Sequence, residues 1–218
     1  MAKKAIKCSK MFDSTTGTVR ENVVIYTDGE RIEAVLPAAE AKFDGCEVID
    51  LPGKFVTPGL CDCHMHLASN GEGSSMGTAP YQTSGDATLR AVNNVKSDLM
   101  AGFTAIRACG DHGFLDVAIR NAVDRGEIPG PRMMVSGCAA DGPAEMMKAV
   151  RYNIKHGADF IKYMSTGGVM SLGTTVGAQQ MSFEEMKAIC DTAKLYGMTI
   201  ATHAHGTSGI KDAIRAGV

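Results

Sequence analysis

The sequence carries no surplus of either charge: 22 Lys and Arg stand against 24 Asp and Glu, a net charge of −2 over 218 residues. That balance gives no reason to expect a nucleic acid or an anionic membrane as partner. No apolar run approaches the roughly 18 residues that span a bilayer. Lys3, Lys4 and Lys7 open the chain with no apolar stretch of about 7–15 residues behind them, so no secretory signal is expected. Low-complexity tracts and charge runs are lacking. So is an even cysteine count. Seven cysteines, scattered from Cys8 to Cys190, read as reduced thiols of a cytoplasmic protein rather than a disulfide framework. The Gly-rich "STGGVMSLGTTVG" lacks phosphate-loop spacing with a following Lys-Ser/Thr. It reads as a mobile loop after a strand, not a nucleotide site. What remains is 44% hydrophobic and 21% charged residues, the makeup of a soluble globular chain with room for one or two domains.

Residues 1–57 read as a small β unit. "ENVVIYTDGERIEAVLP" places two β-rich runs around Asp28-Gly29, the signal of a type I′ hairpin. "EVIDLPGKFVTPG" adds a short strand before Pro58-Gly59 punctuates the chain. From 58 to 218 the rhythm changes to strands alternating with helices. Strands are expected at 60–66, 104–108, 132–136, 159–164 and 198–203. The helix between the first two puts Leu89, Val92, Val95 and Leu99 on one face. The next helix ends at Gly126. Another begins near Pro143 and ends at Gly157. "SFEEMKAICDTAKLYG" opens with the capping box Ser182-x-x-Glu185 and turns Met186, Ile189, Cys190 and Ala193 inward. The alternation argues for an α/β fold with a parallel sheet of about five strands, short of the eight that close a barrel.

"LCDCHMHLAS" (60–69) concentrates ligand-type side chains. On a strand, Asp62, His64 and His66 point one way and Cys61, Cys63 and Met65 the other. The imidazoles converge, and the thiols are expected to pack under a helix as small hydrophobes. A zinc knuckle would need sulfurs and imidazoles to meet, and the chain offers no second half for one. Two imidazoles alone could be polar residues on an exposed strand. Two further features weigh against that. Lys162 stands among Phe160, Ile161, Tyr163 and Met164, where burial disfavours the ammonium form unless the side chain snorkels to water. In "TIATHAHG", Thr199, Ala201, His203 and His205 share a face opposite Met198, Ile200 and Thr202. His64, His66, Lys162 and His203 then gather at the C-terminal ends of parallel strands, where β/α folds carry their functional loops. His112 and His156 are read as surface residues, His156 favouring a helix C-terminus. Cys109 and Cys190 are read as core residues, not nucleophiles.

These segments resemble the amidohydrolase superfamily. "PGLCDCHMHL" is similar to its strand-one signature, "GADFIKYMSTGGV" to its strand-four Lys segment and "THAHGTSGIKDAIRAGV" to its strand-five His segment. The branch resembled is the imidazolonepropionase-like group with Xaa-Pro dipeptidases and zinc carboxypeptidases. The resemblance implies a partial TIM-type (β/α) barrel over 58–218, preceded by a small β-sandwich segment over 1–57. It implies one or two divalent metal ions, zinc by donor type, with His64 and His66 on one metal and His203 on the second. Lys162 would carry a carbamate from CO2 and bridge the metals. His205 is the alternative strand-five ligand or a substrate contact. Asp62 would fix ligand geometry. The implied reaction is cleavage of a C–N amide bond by a metal-bridging hydroxide, in a dipeptidase or carboxypeptidase acting on an acylated amino acid. The expected partners are a small-molecule or dipeptide substrate and further copies of the chain as a homo-oligomer.

Two departures accompany the resemblance. The pattern of this family calls for a further His after strand six and an Asp after strand eight, and this sequence stops where strand six would begin. The loop after the third strand is short, passing from "VSGCAA" to "DGPAEMM". The expectation is the front portion of a longer enzyme. The alternatives are a non-catalytic metal-binding paralogue or inactive fragment of the same fold, and a site completed by another chain.

Overall fold

The computed structural model describes residues 3–69, 83–138, 143–169 and 174–218, with backbone alone for His112 and residues 143–145. Two compact units divide it, Met1–Gly59 and Leu60–Val218.

In the first unit, strands β1 (Lys3–Asp13), β2 (Thr18–Asp28), β3 (Arg31–Pro37) and β4 (Cys46–Val56) form one sheet in the order β3-β2-β1-β4. β1 pairs antiparallel with β2 and parallel with β4. The expected sandwich segment is thus a single layer, its apolar cluster built from Cys8, Met11, Val23 and Ile25. The hairpin stands where expected, but Asp28 pairs with Arg31, so the connecting residues are Gly29 and Glu30. Only Gly29 has a positive φ, +56°. A type I′ turn requires left-handed backbone at both central positions, and the Gly-first arrangement is that of type II′. β4 runs longer than the short strand expected. It lies at the sheet edge, where Pro52 costs no ladder bond. A bulge opposite Cys8–Lys10 takes up Pro52 and Gly53, and the Gly53 N–H donates to Ser9 Oγ at 2.7 Å.

In the second unit the five expected strands are β5 (Leu60–Met65), β6 (Phe103–Ala108), β7 (Arg132–Val135), β8 (Phe160–Met164) and β9 (Thr199–His203). Every pairing among them is parallel. They form two ladders, β5-β6-β7 and β8-β9, rather than one continuous barrel wall. Asp159 links the two. Its N–H donates to Val135 O at 2.7 Å, and its Oδ2 accepts from Val135 N at 2.9 Å and from Arg120 Nη1 at 2.7 Å.

Each ladder has its own apolar core. Helices α1 (Ser84–Met100) and α2 (Leu115–Asp124) cover the first, where Leu67, Ala91, Val95, Ile106, Ile119 and Val135 pack together. Helices α3 (Pro143–Lys155), α4 (Phe183–Leu195) and α5 (Thr207–Ala216) cover the second, around Val150, Ile161, Tyr163, Met186 and Ile189. α4 opens on the Ser182–Glu185 capping box, and its four expected inward residues are fully buried. α1 differs from expectation. Ala87, Ala91 and Val95 form its buried face, one residue per turn, and Leu89 is 69% exposed. Small residues let this helix approach the sheet closely, and the face they define points away from Leu89.

Candidate functional site

β5 presents its ligand-type residues with the expected alternation. Asp62 Oδ1 accepts the His64 N–H at 2.9 Å, which fixes the backbone that carries the first imidazole. The His64 and His66 rings lie edge to face with centroids 5.6 Å apart. His66 Nδ1 is 2.7 Å from the Gly110 carbonyl oxygen. A carbonyl only accepts, so Nδ1 carries the proton and the neutral ring keeps its Nε2 lone pair free. Cys61 and Cys63 do share the opposite face, but both are exposed, with their sulfurs 3.8 Å apart. The expectation that they pack under a helix does not hold. β5 is the edge strand of its ladder, and no described helix covers its thiol face.

Lys162 is almost wholly buried. It is 4% exposed, in mid-β8, and makes no hydrogen bond or ion pair with any described residue. Burial pushes its amine below the ordinary lysine range; the Cys109 thiol opposes this and the Arg107 guanidinium adds to it. Arg107 donates from Nε to Cys63 O at 2.7 Å and lies over the Phe160 ring, with Cζ 5.6 Å from its centroid. β9 runs alongside β8 with Lys162 opposite Ala201 and Met164 opposite His203. His203 is half-buried, and its Nε2 is buried without any hydrogen-bond partner. The His205 ring is exposed and meets His203 edge to face at 4.7 Å.

Electrostatics tie the two ladders together at this point. The His64 imidazole is held below its ordinary range first by burial, then by the charges of Lys162, His66, Arg107 and His203. His203 is lowered by burial, His205 and Lys162. His64, His66, Lys162 and His203 therefore share one electrostatic neighbourhood. Among the described residues, no three His, Cys, Asp or Glu side chains are already grouped to hold a metal ion. The donor set nevertheless fits one. His66 is tethered through Nδ1 and keeps Nε2 for a ligand, the buried Nε2 of His203 has no hydrogen-bond partner, and Lys162 has none among the described residues.

The loop after β8 was expected, but not the contacts that hold it against β9. Ser165 donates from both N and Oγ to His203 O, at 2.9 and 2.8 Å. Thr166 Oγ1 accepts the His205 N–H at 2.8 Å. Gly177 and Gly206 touch backbone to backbone, and a methyl group at 206 would overlap the Gly177 carbonyl. The ends of the expected mobile loop are thus pinned, while its centre, 170–173, lies outside the described residues. So does the short loop at 139–142. Asp111 was also missed. Its carboxylate accepts the N–H groups of Leu67 and Ala68 at 3.0 and 3.2 Å, and burial raises its pKa to about 6. Its position just past the end of β6, matching that of His66 past β5, was the available signal. The other two histidines lie apart from the cluster. His156 bonds the Tyr152 carbonyl at 2.8 Å near the end of α3 and stacks on Phe114; the side chain of His112 is not described. Cys109 and Cys190 are buried, as expected of core residues.

A parallel α/β unit with imidazoles and a buried lysine gathered near the C-terminal ends of its strands has the layout of a catalytic β/α protein. The chain belongs to the amidohydrolase family, whose sequence model matches residues 55–218. It is 30% identical over 202 residues to the ochratoxinase of Aspergillus niger, an alignment covering 73% of this chain and 41% of that protein. Among solved structures it is similar to a Xaa-Pro dipeptidase with methionine bound in its active site, with a TM-score of 0.89 and 30% identity. That match covers all of this chain and 60% of the dipeptidase. A prolidase complexed with N-methylphosphonate-L-proline superposes with a TM-score of 0.87 and 27% identity, covering 99% of this chain and 59% of that one. The chain therefore spans about two fifths to three fifths of the length of these relatives.

Proposed function

We propose that this chain supplies the first five strand–helix units of a (β/α)-barrel hydrolase that cleaves a C–N amide bond in an acylated amino acid, as a dipeptidase or carboxypeptidase. The observation that carries the proposal is Lys162: buried in mid-strand, without an acceptor, and electrostatically coupled to both His64 and His203. A buried lysine with no partner among the described residues is costly to keep for stability alone, and its coupling to His203, whose buried Nε2 is unpartnered, points to chemistry.

His64, His66 and His203 would hold one or two divalent ions, zinc by donor type, with Lys162 between them. When bound, such an ion makes hydroxide available near neutral pH and polarises a carbonyl. The remaining roles fall to this chain. Burial and Arg107 keep a larger share of Lys162 as the free amine. That amine adds CO2 to give a carbamate and one proton, turning a cation into an anionic ligand. Gly110 fixes the His66 tautomer, and Asp62 fixes the His64 backbone. His203, with its orphaned Nε2, suits the strand-five ligand position. His205, exposed beside it, suits contact with substrate. A small-molecule or dipeptide substrate, a homo-oligomeric state and the reducing cytoplasm complete the reading, the last in keeping with seven free thiols.

The test is zinc content and turnover across a dipeptide panel, with and without bicarbonate, for the wild type and Lys162→Ala. Loss of bicarbonate-dependent metal uptake and of turnover in the variant is expected; full activity in Lys162→Ala would sink the role of the lysine. A second reading is metal binding without turnover. Zinc uptake with no hydrolysis across the panel would select it.

A further inference from the structure

Asp111 stands just past β6, half-buried, with both carboxylate oxygens bonded to the backbone that follows His66, and it takes no part in the chemistry above. We propose that Asp111 is the positioning residue of His66, and that with Gly110 it decides which ring nitrogen His66 presents. The inference rests on the reading of His66 as a metal ligand.

The argument starts from the exposed His66 ring. An untethered imidazole turns about its side-chain bonds and exchanges tautomers, offering either nitrogen. Here the Gly110 carbonyl holds Nδ1–H at 2.7 Å. That carbonyl aims at the ring only because Gly110 has φ +111°, a backbone state that side chains other than glycine rarely adopt. A carbonyl in a loop is a useful anchor only if the loop is itself anchored. Asp111 supplies that anchor one residue on. Its two carboxylate oxygens take the two N–H groups that follow His66 in the chain, those of Leu67 and Ala68. The turn is held on its acceptor side as well, where Asn94 Nδ2 donates to Leu67 O and Ser69 O, both at 2.8 Å. Cys109 N–H donates to Met65 O at 2.8 Å, closing the approach from β5. His66 is thus bracketed, its ring by Gly110 and its following backbone by Asp111, both in one dipeptide.

Chemistry limits what can replace Asp111. Two N–H donors need two acceptor oxygens in one plane. Asparagine offers one oxygen and turns an NH2 group toward the second donor. An isosteric change of volume is therefore a large change of function. Asp111 makes no ion pair with any described residue, so its burial serves the two N–H groups and through them the ring.

The test uses the full chain, with zinc as the probe. Affinity is read by competition with a chromophoric chelator for the wild type, Asp111→Asn, Asp111→Ser and His66→Ala. The His66 ring tautomer is read from nitrogen–proton NMR of the zinc-free protein. Ser182→Ala, which removes the N-cap of α4 and touches none of the groups that bond His66 or Asp111, controls for lost stability alone. We expect the wild type to show the Nδ1–H tautomer. Asp111→Asn should bind zinc about 10–100-fold more weakly, the range for groups that orient metal ligands, and should show mixed tautomers. Ser182→Ala should change neither. An Nε2–H tautomer in the wild type overturns the proposal with no variant needed. So does an Asp111→Asn protein with unchanged tautomer and affinity while His66→Ala loses zinc. If His66→Ala keeps full affinity, the ligand reading falls instead, and the tautomer arm alone judges the positioning role. Asp111→Ser, which retains one acceptor, answers the same question should the Asn variant not fold.

Discussion

Ser165 meets the carbonyl of His203 twice, with its backbone N–H and with its hydroxyl. The pair sits where β8 and β9 end, and the two donors are unequal in what their loss would leave behind. Ser165→Ala removes one donor from a carbonyl that keeps the other, so about 0.5–1 kcal/mol is expected. Thr166→Val removes the one acceptor that the His205 N–H has among the described residues. An orphaned donor costs more, about 1–3 kcal/mol. Urea unfolding of both variants should rank Thr166→Val as the more damaging.

Lys162→Met should stabilise the fold while removing metal uptake. The substitution fills similar volume and removes a buried cation without an acceptor, a gain of about 0.5–2 kcal/mol. The sign with pH follows from the lowered amine. Between its folded pKa and 10.5 the unfolded chain binds more protons, so wild-type stability rises with pH across that window. Stability measured from neutral pH to pH 10 should rise more steeply in the wild type than in Lys162→Met.

Acid should act on the same cluster in the opposite sense. His64 and His203 titrate below the ordinary 6.5, so protons load the unfolded chain first. Their contribution is present above about 6.5 and is lost as pH falls through their folded values. Urea midpoints at pH 7, 6 and 5 should fall, and His203→Gln should flatten part of that slope. A wild-type midpoint that holds steady to pH 5 would contradict the assignment.

Gly206→Ala should be among the costliest single-methyl additions in the chain. The new carbon overlaps the Gly177 carbonyl, which is backbone and cannot swing aside. Overpacking of this kind costs about 1–3 kcal/mol or more. Gly85→Ala is the matched contrast: it lies in the first turn of α1, where a Cβ meets only Thr83 Oγ1 at 3.6 Å. There alanine should be neutral or stabilising by up to about 1 kcal/mol. Thermal melts of the two variants separate the cases.

Much of the second unit was legible because local chemistry and tertiary demand agree there. The Ser182–Glu185 box caps α4 as expected, and a lone Lys in an apolar strand marked Lys162 before any coordinates did. Legibility failed where packing overrode pattern. Leu89 fits an apolar stripe, but the close approach of α1 is made by Ala87 and Ala91, residues too small to register as a stripe. The alternation of Cys61 and Cys63 was right and their burial wrong, since parity fixes a face and neighbours decide whether it is covered. β1 was not resolved as a strand because its buried residues, Ala5, Cys8 and Met11, recur every third position instead of every second. Asp111, marked only by its place just past β6, was missed for another reason. Its partners are backbone N–H groups more than forty residues earlier, and no side-chain pattern encodes them.

The two hydrogen bonds between Val135 and Asp159 also bear on how the halves of the site are held together. Each ladder of the second unit has its own helices and its own apolar core, so each can close from contacts within its own stretch of sequence. What joins them is a seam of contacts: the Asp159–Val135 pair clamped by Arg120, Arg107 over the Phe160 ring, and His156 stacked on Phe114. His64 and His66 lie on one side of that seam and Lys162 and His203 on the other, so whatever loosens the seam parts the two halves of the site.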